Sequence, residues 1–142
     1  MKRREFLIGG ASLALASPVS FADARVLRAS VTRQNLVGAA HPATQVWGYS
    51  ASVPGPELRF KQGERLRIEV ENALPAPTTV HWHGIRLPNA MDGVPGLTQA
   101  PIAANGGRFV YEFDLPDAGT YWYHPHPGDG EQLARGLYGA LI

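Results

Sequence analysis

The chain has 142 residues and a formal net charge of +1 at pH 7, enough for one domain around a modest core. Thirteen Lys and Arg against twelve Asp and Glu exclude a basic nucleic-acid footprint and an acidic solvating tail. The absence of cysteine excludes disulfides, zinc ribbons, thiol nucleophiles and any copper–thiolate centre built from this sequence. Its 16 Gly and 12 Pro predict many turns in place of long helices.

The first stretch, Met1-Lys-Arg-Arg-Glu-Phe-Leu-Ile8, sets a basic end before an apolar run from Phe6 to Val19. That run is too short to span a bilayer and is broken by Gly9, Gly10 and Pro18. Small residues at Ser20 and Ala22 suit signal-peptidase cleavage before Asp23, with Ala24 offering a second position. Arg3-Arg4 followed by Phe6-Leu7 resembles a twin-arginine export signal. Residues 1–22 are therefore expected to be a leader that sends residues 23–142 to a bacterial periplasm. Its removal takes away three positive charges and one negative, moving the net charge from +1 to −1. No later segment is expected to insert stably in a membrane.

After residue 23 the sequence reads as short strands between turns. Glu64–Glu71 alternates strictly, with Leu66, Ile68 and Val70 on one face and charges on the other, the period of a half-buried strand. Arg108–Leu115 repeats this, placing Phe109, Tyr111, Phe113 and Leu115 inward. Further strands are expected at Val26–Val31, Gln45–Ser50, Glu57–Phe60, Thr78–His83, Thr120–His124 and Leu137–Ile142, with a helical turn around Glu131–Arg135. Turn chemistry separates them at Pro54-Gly55-Pro56, Asn105-Gly106-Gly107 and Pro116-Asp117-Ala118-Gly119. The pattern predicts an all-β, antiparallel sandwich in a single domain. A long loop from Gly84 to Gly107 has the length of a functional segment. The apolar run Gly139–Ile142 halts without a closing turn, so truncation at the C-terminus is expected.

Four of the five histidines fall in two His-x-His pairs, His81/His83 and His124/His126. In a strand, residues i and i+2 share a face. His81 and His83 therefore point one way while Val80 and Trp82 point into the core. Trp122, His124 and His126 line up by the same rule, although Pro125 must end regular pairing there. A single such pair is commonly structural. Two of them offer two imidazoles each to one metal or to adjacent metals. His41 has no partner near it in sequence and reads as a surface-loop residue. A cupin-type site would need a carboxylate three or four residues beyond a pair. Arg86 and Leu87 stand there after His83, and Asp129 and Gly130 after His126, a poor match. A three-histidine zinc hydrolase stays open on ligand chemistry alone.

Four segments carry a family resemblance: Val80-His-Trp-His-Gly-Ile85, Met91-Asp-Gly-Val-Pro-Gly-Leu-Thr-Gln99, Gly119-Thr-Tyr-Trp-Tyr-His-Pro-His126 and Arg135-Gly-Leu-Tyr-Gly-Ala-Leu-Ile142. Together with Pro54-Gly55-Pro56 and Arg59–Glu64 they resemble the N-terminal cupredoxin domain of multicopper oxidases, in particular bacterial periplasmic laccase-like members. The resemblance implies a cupredoxin-like Greek-key sandwich and copper as cofactor. It implies that His81 binds a type 2 copper, that His83 and His124 bind one of two paired type 3 coppers, and that His126 binds the other. Asp92 matches an acid that assists proton delivery during dioxygen reduction, against the plainer reading of a loop-capping Asp before Gly93. Trp82 and Trp122 are expected to pack in the core.

Two departures bound what the chain does alone. The family's cluster takes eight histidines, four of them from a C-terminal domain that lies outside this sequence, and its blue type 1 copper needs a cysteine. The 142 residues are thus expected to supply half of a trinuclear cluster. The remaining ligands would come from C-terminal cupredoxin domains of the same oxidase or from a partner chain, with dioxygen as substrate. The alternatives are a stand-alone periplasmic copper-binding module or an inactive fragment. With Met1 and Met91 the only methionines, a thioether-rich Cu(I) carrier is disfavoured.

Overall fold

The computed structural model describes residues 25–126 and 130–142. The expected leader over 1–22 and its cleavage positions lie outside the described residues, as does Asp129. Among the described residues, seven strands form two sheets. They are β1 (Arg25–Gln34), β2 (Thr44–Tyr49), β3 (Arg65–Asn72), β4 (His81–His83), β5 (Gly107–Asp114), β6 (Tyr121–His124) and β7 (Gly139–Leu141). One sheet has the order β2-β1-β3-β5 and the other the order β4-β6-β7. The chain is the expected all-β, cupredoxin-like Greek-key sandwich.

Alternation decides which side chains meet between the sheets. Leu66, Ile68 and Val70 of β3 are fully buried, as are Tyr111 and Phe113 of β5. From the opposite sheet Trp82 of β4 and Tyr123 of β6 enter the same core. The Trp82 ring lies edge-on to Tyr111 at 5.5 Å and to Phe113 at 5.6 Å, the geometry that the positive edge and negative face of aromatic rings favour.

The outward face of β3 and β5 carries a charge ladder. Arg65 bonds Glu112 and Asp114, and Arg108 bonds Glu69 and Glu71. These are cross-strand pairs that suit a solvated sheet face.

Three expectations need correction. The sandwich is not wholly antiparallel, because β1 pairs with β3 in parallel, Leu27 opposite Val70. Alternation fixes faces but carries no information on strand direction. Glu57–Phe60 is not a strand in its own right. It runs beside β7 through Leu58 N–H to Ala140 O, Ile142 N–H to Leu58 O and Phe60 N–H to Ile142 O. Thr78–His83 shortens to His81–His83, since Thr78 pairs instead with Ile102 across the long loop.

That loop is held by a polar clamp. Asn72 is fully buried. Its Nδ2 donates to the carbonyls of Ala76, Ile102 and Ala103, and its Oδ1 accepts from Leu74 N–H. A buried amide satisfied on both ends fixes the backbone around it. Here it ties the segment leading into β4 to the end of the long loop. A 3₁₀ turn at Asn89–Met91 gives the loop internal structure and ends at Asp92, whose N–H bonds Asn89 O. The helical turn expected near residue 131 is α1 (Glu131–Ala134).

Candidate metal centre

The three-stranded sheet has two faces of different chemistry. Val80, Trp82 and Tyr123 point inward and are fully buried. Antiparallel pairing sets His81 opposite His124 and His83 opposite Trp122, so the outward face collects imidazoles. One ligand nitrogen from each of His81, His83 and His124 lies within 4.8 Å of the others. His126 joins them past Pro125, where β6 has ended, with its ring 4.5 Å from that of His81. The structure thus brings all four predicted histidines to one place. His41 is exposed, away from strands, as expected.

Hydrogen bonds set which nitrogen each ring offers. His81 Nδ1 lies 2.8 Å from the carbonyl oxygen of Asp92. A carbonyl can only accept, so Nδ1 carries the proton and Nε2 keeps its lone pair. The Asp92 carboxylate stands 3.2 Å from the same nitrogen. His124 Nδ1 donates to Pro125 O at 3.0 Å, which again leaves Nε2 free. Protein acceptors on the far nitrogen are the usual support of a metal-ligating histidine. Burial, followed by the neighbouring His81, His126 and His83, lowers the His124 pKa against the opposing pull of Pro125 O. Burial likewise lowers that of His126, with His81 and His83 adding to it and Asp92 opposing. Both shifts favour the neutral form that binds metals.

Geometry also tests whether a metal fits. Two nitrogens bound to one ion at about 2.0–2.1 Å in a tetrahedral arrangement sit about 3.3–3.4 Å apart. His83 Nδ1 and His124 Nε2 are 3.3 Å apart. With imidazole as the donor and no thiolate present, copper suits the set.

Several supports were not legible in the sequence. Tyr111 accepts a hydrogen bond from Val80 N–H at 2.8 Å, bracing the residue before His81. Gln132 of α1 is buried. Its Oε1 accepts from Thr78 Oγ1 at 2.6 Å and its Nε2 donates to Pro77 O at 2.8 Å. The adjacent Thr79 Oγ1 accepts from His126 N–H at 3.5 Å. Alternation gave Trp122 its place beside His124, but the expectation that it packs in the core is overturned. It is only partly buried and stacks on the imidazoles.

A Greek-key sandwich with four convergent histidines on one sheet face defines a metal-binding cupredoxin-like domain. The multicopper oxidase family model matches residues 30–142, and the chain belongs to that family, whose cofactor is copper. It is 47% identical over 108 residues to Copper resistance protein A of Pseudomonas syringae pv. tomato, an alignment covering 76% of this chain and 17% of that protein. It is 45% identical over 100 residues to Multicopper oxidase MmcO of Mycobacterium tuberculosis, covering 68% and 18%. The crystal structure of a multi-copper oxidase from Pseudomonas thermotolerans superposes with a TM-score of 0.78 at 48% identity, covering 82% of this chain and 28% of the other. The chain therefore spans less than a fifth of these two relatives.

Proposed function

We propose that this chain supplies half of the ligands of a trinuclear copper cluster in an exported oxidase. In that reading His81 holds a type 2 copper, His83 and His124 hold one type 3 copper, and His126 holds the other. The observation that carries it is the 3.3 Å approach of His83 Nδ1 to His124 Nε2, inside a group that includes His81. The remaining ligands and the type 1 centre come from further cupredoxin domains of the same protein, in keeping with the greater length of its relatives. Copper bound there supplies one-electron steps that deliver electrons from phenols or metal ions to dioxygen, yielding water.

The chain's own residues orient and exchange protons. Asp92 O holds the proton on His81 Nδ1 and so presents Nε2 outward. The Asp92 carboxylate, on the same side of the ring, is placed to hand protons to the site. The Arg3-Arg4 leader supports export to the periplasm by the twin-arginine route.

The test is copper content and electron paramagnetic resonance of the complete gene product purified from the periplasm. His81→Ala should remove the signal of an isolated copper. His83→Ala and His124→Ala should each deplete the magnetically coupled pair and spare that signal. Unchanged copper per chain in a His83→Ala/His124→Ala double variant would overturn the assignment.

A further inference from the structure

Two of the four imidazoles, those of His81 and His124, have a fixed protein acceptor. The His81 ring is held by Asp92 and the His124 ring by Pro125 O, while the backbone N–H of His126 bonds Thr79. His83 is exposed, and among the described residues its ring comes within hydrogen-bond distance only of the ring of His124. An exposed ring at a strand end, without an acceptor on its second nitrogen, would turn freely about its side-chain torsions. Something else must hold it.

Trp122 lies directly across the β4–β6 pair from His83. Its ring is 5.0 Å from His83 at an interplanar angle of 34°, and 4.0 Å from His124 at 25°. One indole thus lies against both rings. Stacking of this kind is favourable beyond the area it covers. Unlike a hydrogen bond, it fixes the plane of a ring without using either nitrogen.

We propose that Trp122 is a positioning residue, a stacking platform that holds the His83 and His124 rings with Nδ1 and Nε2 converging. This rests on the reading of those two histidines as copper ligands. Trp122 takes the part that hydrogen-bonding acceptors play for His81 and His124. Its requirement is a flat aromatic face, so phenylalanine substitutes and leucine, which fills space but cannot stack, does not.

The experiment compares Trp122→Phe and Trp122→Leu with the wild type in the complete gene product, using two readouts. The first is the affinity for Cu(II), added as copper sulfate to chelator-stripped protein. Loss of an outer support typically costs 10–100-fold in metal affinity. Trp122→Leu should fall by about that factor and Trp122→Phe by less than about threefold. The second readout needs no metal: side-chain resonances of 15N-labelled histidine, assigned with His83→Gln and His124→Gln. In Trp122→Leu the His83 and His124 rings should lose their ring-current shifts while His81, tied to Asp92, stays in place.

Equal copper affinity and unmoved ring resonances in Trp122→Leu overturn the proposal. So does an equal loss in Phe and Leu variants accompanied by displacement of the His81 resonance, which marks general loosening of the fold. If wild-type copper uptake is insensitive to all four histidines, the copper reading fails, and the ring resonances alone decide the role of Trp122.

Discussion

The carbonyl oxygen of Val80 occupies the place where a side chain at Gly93 would have to go. Gly93 is buried with φ at +75°, and a Cβ built there collides with Val80 O. Both requirements point to glycine, since a left-handed conformation costs other residues about 1–2 kcal/mol and the contact leaves no room. Through this approach the long loop lies against the start of β4 and sets Asp92 beside His81 Nδ1. Gly93→Ala is expected to lose about 1–3 kcal/mol or more of stability in urea denaturation and to retain less copper at His81. Wild-type stability in that variant would contradict the packing described.

Main chain and side chain of Asp92 have separable tasks. The carbonyl orients His81, so Asp92→Asn should keep its copper complement. The carboxylate is the proton-handling group of the proposed function, and removing such a group costs typically 10²–10⁴-fold in rate. Dioxygen consumption by Asp92→Asn should fall within or near that range at unchanged copper content. If copper is lost in proportion to rate, the carboxylate serves only to hold the ligand.

Tyr111 sets an alkaline limit on stability. Burial raises its pKa to about 12, against the hydrogen bond from Val80 N–H, which lowers it. In the unfolded chain tyrosine ionises near pH 10. Between about pH 10 and 12 the folded state therefore binds more protons than the unfolded state, and stability falls as pH rises. The full shift corresponds to roughly 3 kcal/mol, present below pH 10 and lost as the pH rises through about 12. Burial raises the Tyr49 and Tyr123 phenols as well, steepening the loss. Tyr111→Phe should show a shallower alkaline decline and, near neutrality, a cost of about 1–3 kcal/mol for the orphaned Val80 N–H. Urea midpoints measured across this pH range check both signs.

How much was legible in the sequence depended on whether a feature is periodic or relational. Period-2 alternation placed β3 and β5 within one residue of their observed ends, and parity put His81, His83 and His124 on one face. The same parity placed Trp122 beside His124, yet reading it as core ignored that its face is the outward one of β6. Parallel pairing of β1 with β3 depends on the path of the chain between them, which no local pattern carries. Asn72, Gln132 and Gly93 matter through atoms 20 or more positions away or through the room they leave. Nothing near them in sequence marks the carbonyl or hydroxyl they meet.

Gln132 is the most consequential of these. Gln132 pins α1 to Pro77 and Thr78, next to the Thr79 that holds His126 N–H. Gln132→Leu fills similar volume but removes both bonds: the buried Thr78 Oγ1 keeps only its 3.4 Å bond to Thr79 O and the part-buried Pro77 O loses its donor, at about 1–3 kcal/mol in all. Glutamate can accept from Thr78 but cannot donate to Pro77 O, and it buries a charge, so Gln132→Glu is expected to be the worse of the two. Their effect on copper should be local. His126 loosens first while His81 keeps its tie to Asp92, so the variants should deplete the coupled pair before the isolated copper. Paramagnetic resonance and copper content through a chelator titration measure that order. Simultaneous loss from every site would mean that Gln132 supports the fold as a whole and not the Thr79 contact that holds His126.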